Sequence, residues 1–195
     1  MSDDLDPGYT VARTTLQSAF ALPFAVTISS ARERDGKTGL AVGLARNFAR
    51  ARFSTLVLDA NPDSPAVAHA LGIEKLAVPA KLEPAAVLEV VRSADGVDAA
   101  SIAGYQLVDD ASDAEIAALI AGLRARYDVT IVDTGEVFAS TFVPRCAAAC
   151  DGVVLAVRYA RFPEPNDRRV VGVLERQGAR VIGTVSTSFP REVLI

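Results

Sequence analysis

Four consecutive residues, Asp35-Gly36-Lys37-Thr38, have the types and order of a phosphate-binding loop. They lie between an apolar run at 24–28 and a long helical pattern that begins near residue 37. A strand, a tight loop and a helix place backbone amide groups and the positive end of a helix dipole around an anion. Gly36 would let a phosphate approach the backbone, Lys37 would reach its outer oxygens, and the Thr38 hydroxyl would hold Mg²⁺.

The residues before this stretch depart from the usual Gly-x-x-x-x-Gly-Lys-Ser/Thr pattern. Ala31 stands where the first glycine is expected, and residues 32–35 read Arg-Glu-Arg-Asp, without a glycine. The sequence therefore keeps the second half of the pattern and alters the first.

Two aspartates, Asp59 and Asp133, each follow a buried apolar run in the same way as the phosphate loop follows its own. In a parallel sheet, ligands bind outside the carboxyl ends of the strands, so we expect the three strand ends to meet in one crevice. Mg²⁺ prefers oxygen ligands and takes one or two carboxylates together with phosphates and water. Thr38, Asp59 and Asp133 are therefore candidate magnesium ligands. The alternative is that each aspartate only begins a turn.

The composition favours an ordinary globular chain of 195 residues, because half of them are hydrophobic and 23% are charged. The net charge of −4 argues against a broad nucleic-acid surface, and we expect no nucleic-acid partner. No apolar run reaches 18 residues, and three of the first six residues are aspartates, unlike a secretion signal. Cys146 and Cys150 are four apart, which predicts two small buried side chains on one helix face. We expect a cytoplasmic protein.

Strand and helix patterns alternate along the chain, and the strand patterns are continuous Val/Ile/Leu runs. This predicts a doubly wound α/β fold with a mainly parallel sheet and helices on both faces. We assign residues 1–22 to an N-terminal helical segment and 23–195 to a single domain. The predicted strands are 24–28, 55–58, 102–108, 129–132, 153–157 and 181–185. The predicted helices are 9–20, 37–52, 66–71, 84–92, 112–126, 141–150 and 165–177.

From about residue 9 onwards the chain resembles the bacterial tyrosine kinases of capsular and exopolysaccharide synthesis (BY-kinases). These belong to the ParA/MinD-like class of P-loop ATPases, which have a deviant Walker A motif. The similar stretches are 26–30 with 36–38 (strand and Walker A), 56–65 (Walker A′), 127–134 (Walker B), and 150–158 and 178–185 (the following strands).

The resemblance implies ATP or ADP with Mg²⁺ as cofactors. Lys37, Asp59 and Asp133 would be catalytic, Asp59 also helping to activate a tyrosine hydroxyl. Thr38, Asp59 and Asp133 would contact the metal. The nucleotide contacts would be Arg32, Arg34, Asp35, Gly36, Lys37, Thr38 and Gly39, with Arg32 at the place of the ParA/MinD signature lysine.

The resemblance also implies partners. BY-kinase subunits assemble in rings and act beside a membrane polysaccharide co-polymerase of the Wzz-like type. We therefore expect a homodimer or homo-oligomer, and a cytoplasmic location at the inner membrane through that partner.

The chain departs from the family in four places. Arg34 replaces a glycine at a position that needs φ > 0, which costs on the order of 1 kcal/mol or more. Asn61 replaces the second aspartate of Walker A′, and Arg13 is what remains of the N-terminal ring motif. The C-terminus has no tyrosine cluster; the tyrosines are scattered, and we expect two of them, Tyr127 and Tyr159, to be packing residues.

Three hypotheses follow. The first is a BY-kinase-like enzyme that transfers phosphoryl groups or hydrolyses ATP. The second is a catalytically degenerate pseudokinase that regulates the polysaccharide co-polymerase. The third is a ParA/MinD-type nucleotide switch, although residues 189–195 are too few to form the C-terminal membrane helix usual in that class.

Overall fold

The computed structural model describes residues 7–63, 65–82, 85, 87–159 and 165–187. Its strands are β1 (Phe24–Ser30), β2 (Thr55–Ala60), β3 (Val91–Arg92), β4 (Asp98–Ser101), β5 (Val129–Glu136), β6 (Gly152–Arg158) and β7 (Val181–Thr187). Its helices are α1 (Pro7–Ala19), α2 (Lys37–Arg50), α3 (Val67–Ala70), α4 (Tyr105–Asp110), α5 (Asp113–Arg124), α6 (Phe142–Ala149) and α7 (Pro165–Arg176).

Within these ranges the strands form one sheet in the order β3-β4-β2-β5-β1-β6-β7. All neighbouring strands are parallel except β3 and β4, which pair antiparallel at one edge. Every residue of β1 and β2 is buried, as expected for strands that helices cover on both faces. The predicted doubly wound α/β fold is confirmed.

Successive residues of a strand point to opposite faces of the sheet, and the core is divided accordingly. In β2, Val57 belongs to the apolar cluster that contains Leu44 and Phe48 of α2. Its neighbour Leu58 belongs to the cluster on the other face, with Ile120 of α5. The two helical layers fix the sheet between them, so the carboxyl ends of the parallel strands are held in place.

Two predicted elements are wrong. Residues 102–108 do not form a strand: β4 ends at Ser101, and α4 begins at Tyr105. The described part of 84–92 contains no helix: residues 85, 87 and 88 lie in turns or a bend, and Val91 and Arg92 pair with β4 at the sheet edge. Pairing with β2 makes a strand of the β4 sequence Asp-Ala-Ala-Ser despite its low strand propensity, since small buried side chains fit there. Pro84, the predicted first helical residue, and 189–195 lie outside the described residues.

Several local predictions are confirmed. Ser112 and Glu115 form the capping box of α5. Gly178, with φ 84°, follows the end of α7 in the left-handed conformation. The prediction for the two cysteines is confirmed in part: Cys146 is buried within α6, whereas Cys150 is half-buried and follows the last residue of that helix, and both are free thiols.

The two tyrosines predicted to pack differ. Tyr127 is buried, whereas Tyr159 is 42% exposed, so the prediction for Tyr159 is wrong. In the described part of the chain, no helix has the length and apolar character that a membrane crossing requires.

Candidate functional site

The loop between β1 and α2 has the shape that a phosphate-binding loop needs. Gly36 lies at the N-cap of α2 with φ 85°, and no side chain caps the helix there. The amide groups of the first turn therefore face the loop at the positive end of the helix dipole. Arg34 has φ 62°, so the predicted left-handed conformation at this non-glycine position is confirmed. This end of α2 keeps the anion-binding character of a helix N-terminus.

Thr187, at the end of β7, attaches this loop to the sheet through one hydrogen bond. Its hydroxyl donates a hydrogen bond of 2.6 Å to the carbonyl oxygen of Asp35. A Cβ atom added to Gly36 would lie 2.8 Å from the Thr187 Oγ1 atom. Gly36 is therefore needed for its backbone angle and for the close approach of β7. Nothing in the sequence pointed to Thr187, because it is 152 residues from Asp35.

The structure brings three predicted magnesium ligands together. Asp59 and Asp133 are register partners on the neighbouring parallel strands β2 and β5. The Thr38 hydroxyl, in the first turn of α2, donates a hydrogen bond of 2.6 Å to Asp133 Oδ2. Both aspartates lie inside their strands, which continue to Ala60 and Glu136, so neither one only begins a turn.

Burial strongly affects both carboxylates. It raises the pKa of Asp133 to about 7, and the nearby charge of Asp59 adds to this, while the Thr38 hydrogen bond and the charge of Lys37 oppose it. It also raises the pKa of Asp59 to about 6, against the backbone hydrogen bonds from Asn61 and Val67. A cation bound between these two adjacent buried carboxylates would be stabilised by their negative charges.

Two buried oxygen atoms in this region have no hydrogen-bond partner among the described residues: Asp133 Oδ1 and Asn61 Oδ1. Buried polar atoms are nearly always paired with protein, water or a ligand, so these two oxygens could accept contacts from a bound ligand or from water. Mg²⁺ and its water molecules would satisfy such oxygens, and the residues present therefore fit this metal. The described residues contain no cluster of three or more His, Cys, Asp or Glu side chains, so a metal here would also need Thr38 and phosphate oxygens.

Thr38 and Asn61 of this group line a cavity of about 660 Å³, whereas Asp59 and Asp133 are not among its lining residues. Five of the predicted nucleotide contacts line it: Arg34, Gly36, Lys37, Thr38 and Gly39. The other lining residues are Glu33, Asn61, Asp63 and Glu136. Three carboxylates thus share the cavity with Lys37, which is unfavourable for a site that receives a polyanion.

The role of Glu136 was missed at the level of the sequence. The Lys37 side chain is 6% exposed, and its ammonium group forms an ion pair with the Glu136 carboxylate. Glu136 is the last residue of β5, three positions after Asp133, where no motif marks it. The role of Asp63 was missed as well: it accepts a hydrogen bond of 2.7 Å from the exposed hydroxyl of Tyr105.

Two of the predicted nucleotide contacts, Arg32 and Asp35, are not brought to the cavity. Arg32 Nη2 donates a 2.8 Å hydrogen bond to Asp167 Oδ1 of α7, and Arg32 Nε lies 3.7 Å from Asp35 Oδ2. Asp35 is fully buried. These residues tie the loop to α7.

No protein-family model matches the sequence, and a search of curated proteins found no match. Solved structures do match in fold. The kinase domain of the Escherichia coli tyrosine kinase ETK has a TM-score of 0.79 at 17% identity, over 93% of this chain and 78% of that one. The VpsO kinase domain has a TM-score of 0.72 at 23% identity, over 97% of this chain and 100% of that one.

A third match is the septum site-determining protein MinD of Pyrococcus horikoshii, complexed with Mg-ADP. Its TM-score is 0.67 at 16% identity, over 87% of this chain and 75% of that one. The chain therefore has the fold shared by bacterial tyrosine-kinase domains and MinD-like P-loop ATPases.

Proposed function

We propose that this protein binds a magnesium–adenine nucleotide complex, ATP or ADP, at the N-terminus of α2. One observation carries the proposal: the Thr38 hydroxyl is hydrogen-bonded to Asp133, whose second carboxylate oxygen is buried and has no hydrogen-bond partner within the described part of the chain. This arrangement stands beside a cavity that Gly36 and Lys37 also line.

Each residue has a distinct task in this proposal. The amide groups that follow Gly36 bind phosphate oxygens, and Lys37 binds the outer phosphates. Thr38, Asp59 and Asp133 hold the metal directly or through water. When bound, Mg²⁺ supplies the positive charge that neutralises the phosphates. The raised pKa of both aspartates agrees with this, because a cation would stabilise their charged forms.

We extend the proposal to a BY-kinase-like protein of exopolysaccharide or capsule synthesis, which transfers phosphoryl groups or hydrolyses ATP. The support is the shared fold with the ETK and VpsO kinase domains, together with the motif order in the sequence. Its proposed partners are the cytoplasmic segment of a membrane polysaccharide co-polymerase and further copies of this chain.

A second candidate is a catalytically degenerate regulator with the same partner. The observation that favours it is the charge of the cavity: Lys37 is already paired with Glu136, and two further carboxylates, Glu33 and Asp63, line the same space. A protein that no longer handles nucleotides would tolerate such a lining.

Calorimetric titration of Mg·ATP and Mg·ADP separates the two candidates. We expect binding by the intact chain and loss of binding in Lys37→Ala. Lys75→Ala serves as control, because Lys75 is an exposed lysine outside the cavity lining. Absence of binding by the intact chain would leave the degenerate regulator.

Further measurements on the same samples define the activity. Phosphotyrosine detected by mass spectrometry would support the kinase. Slow ATP turnover without phosphotyrosine would indicate an ATPase. ATP-dependent dimerisation seen by light scattering would favour a ParA/MinD-type switch instead.

A further inference from the structure

We infer that Glu136 is an internal counter-ion that occupies Lys37 until a phosphate group displaces it. Nucleotide affinity would then depend on the exchange of one carboxylate for one phosphate on the same ammonium group. The inference rests on the proposed nucleotide site and describes how access to that site is controlled.

The first argument is the burial of the pair. The Lys37 side chain is 6% exposed and the Glu136 side chain 17% exposed. A buried ammonium group without a partner is unfavourable by several kcal/mol. Glu136 supplies that partner, and Lys37 is thereby kept in its place at the start of α2.

The second argument is the fixed backbone of Glu136. The carbonyl oxygen of Gly135 accepts a 2.7 Å hydrogen bond from the Ser29 hydroxyl. The amide of Val137 donates a 3.0 Å hydrogen bond to the carbonyl oxygen of Ser30. The chain is thus held on both sides of Glu136, so the carboxylate can leave Lys37 only by rotation of its side chain.

The third argument is that both side chains line the same cavity. An anion that reaches the Lys37 ammonium group enters the space beside the Glu136 carboxylate. Two anionic groups close together in a partly buried site repel each other strongly. We therefore expect the Glu136 side chain to move towards solvent when a phosphate binds, and this displacement to weaken the observed affinity.

Glu33 provides a matched control. It lines the same cavity and has the same charge as Glu136. Its side chain, however, is 80% exposed and lies 4.0 Å from Arg34, which is itself exposed. Solvent screens such a charge, so removing it should change anion affinity only slightly.

The test compares Glu136→Gln with Glu33→Gln and the unchanged chain by calorimetry. The probes are Mg·ADP and inorganic pyrophosphate, which has no base or sugar. We expect Glu136→Gln to bind both probes at least about tenfold more tightly, because a neutral amide is displaced more easily than a carboxylate. For Glu33→Gln we expect a change below about threefold, as for a screened surface charge.

Thermal unfolding adds a readout that shows whether the variant is folded. Without ligand, Glu136→Gln should unfold at a lower temperature than the unchanged chain, because Lys37 loses its counter-ion. Saturating Mg·ADP should raise the unfolding temperature of Glu136→Gln by more than it raises that of the unchanged chain.

The outcomes distinguish the inference from the proposed function. Equal affinities for Glu136→Gln and the unchanged chain, or equal gains in both glutamine variants, would overturn the counter-ion exchange and leave the nucleotide site intact. Absence of binding by all three proteins would overturn the proposed function and the exchange together.

Discussion

Asp59 and Asp133 lie side by side, as register partners on two parallel strands in the middle of the sheet. Both are almost completely buried, and the charge of Asp59 disfavours the ionised form of Asp133. Thr38 donates a hydrogen bond to one of them from the first turn of α2. The arrangement is unfavourable for two ionised carboxylates alone and favourable for a bound cation, which is typical of a functional site.

The first prediction concerns pH. Burial raises the pKa of Asp133 to about 7 and that of Asp59 to about 6, from an ordinary value of 3.8. Between about pH 4 and pH 7 the folded chain keeps protons that the unfolded chain has lost. The contribution of these groups to the free energy of unfolding therefore falls as pH rises through this range and stays low above it.

Asp133→Asn tests this directly. Because the amide is neutral, the variant should be more stable than the unchanged chain at pH 8, by on the order of a few kcal/mol, and similar to it at pH 4.5. Urea unfolding at the two pH values measures the difference. A variant that is less stable at pH 8 would contradict the account of two unfavourable buried carboxylates.

The second prediction concerns the hydroxyl of Thr38. Thr38→Val keeps the size of the side chain but removes the group that contacts Asp133 and the proposed metal. We expect a loss of Mg·ADP affinity of roughly 10- to 100-fold, and near-complete recovery in Thr38→Ser. Calorimetry with Mg²⁺ and with EDTA measures it. An equal loss in both variants, or a loss that persists without Mg²⁺, would argue against a metal-binding hydroxyl.

The third prediction concerns Arg34. Its φ of 62° is unfavourable for any residue with a Cβ atom. Arg34→Gly should therefore leave the free energy of unfolding unchanged or raise it by about 0.5–1 kcal/mol. Arg52→Gly is the control: Arg52 has a φ of 68° and is not among the residues that line the cavity. Urea unfolding should give similar effects for both variants.

Nucleotide affinity should separate these two variants. Arg34 lines the cavity, so its replacement removes a positive charge near the phosphates and should weaken Mg·ADP binding by about two- to fivefold, as for an exposed charge. Arg52→Gly should bind like the unchanged chain. Equal affinities for both variants would exclude a contribution of Arg34 to binding.

The fourth prediction compares two glycines three residues apart. Gly36→Ala introduces a Cβ atom at φ 85°, only 2.8 Å from Thr187 Oγ1, and should destabilise the protein by about 2 kcal/mol or more. Gly39→Ala places a methyl group in open space inside α2 and should be neutral or stabilising by roughly 0.5–1 kcal/mol. Thermal unfolding checks both, and similar melting temperatures would contradict the proposed contact with β7.

The fold class could be predicted from the sequence because the central strands are continuous buried runs and their helices have clear caps, such as Ser112 with Glu115. The strands and helix at the edge of the sheet could not be predicted in this way. Residues 98–101 become a strand by pairing with β2, and 105–108, the second part of the predicted strand 102–108, become helical. Tertiary pairing overrides local propensity at such positions.

The same distinction applies to the site. Lys37, Thr38 and the two aspartates could be identified because a local motif or a strand end marks each of them. Glu136 and Thr187 could not, since their roles depend on contacts with residues 99 and 152 positions away in the chain. Arg32 illustrates the opposite case: a position that matches a family motif is engaged here in an ion pair with Asp167.

The central claim is that a magnesium nucleotide binds at the N-terminus of α2. Amide nuclear magnetic resonance spectra of the ¹⁵N-labelled chain, recorded during a titration with Mg·ADP, test it most directly. We predict saturable shifts centred on the amides of Gly36, Lys37, Thr38 and Gly39, with smaller shifts at Glu136, and their loss in Lys37→Ala. Absence of shifts in this loop, or saturable shifts confined to another part of the chain, would contradict the account.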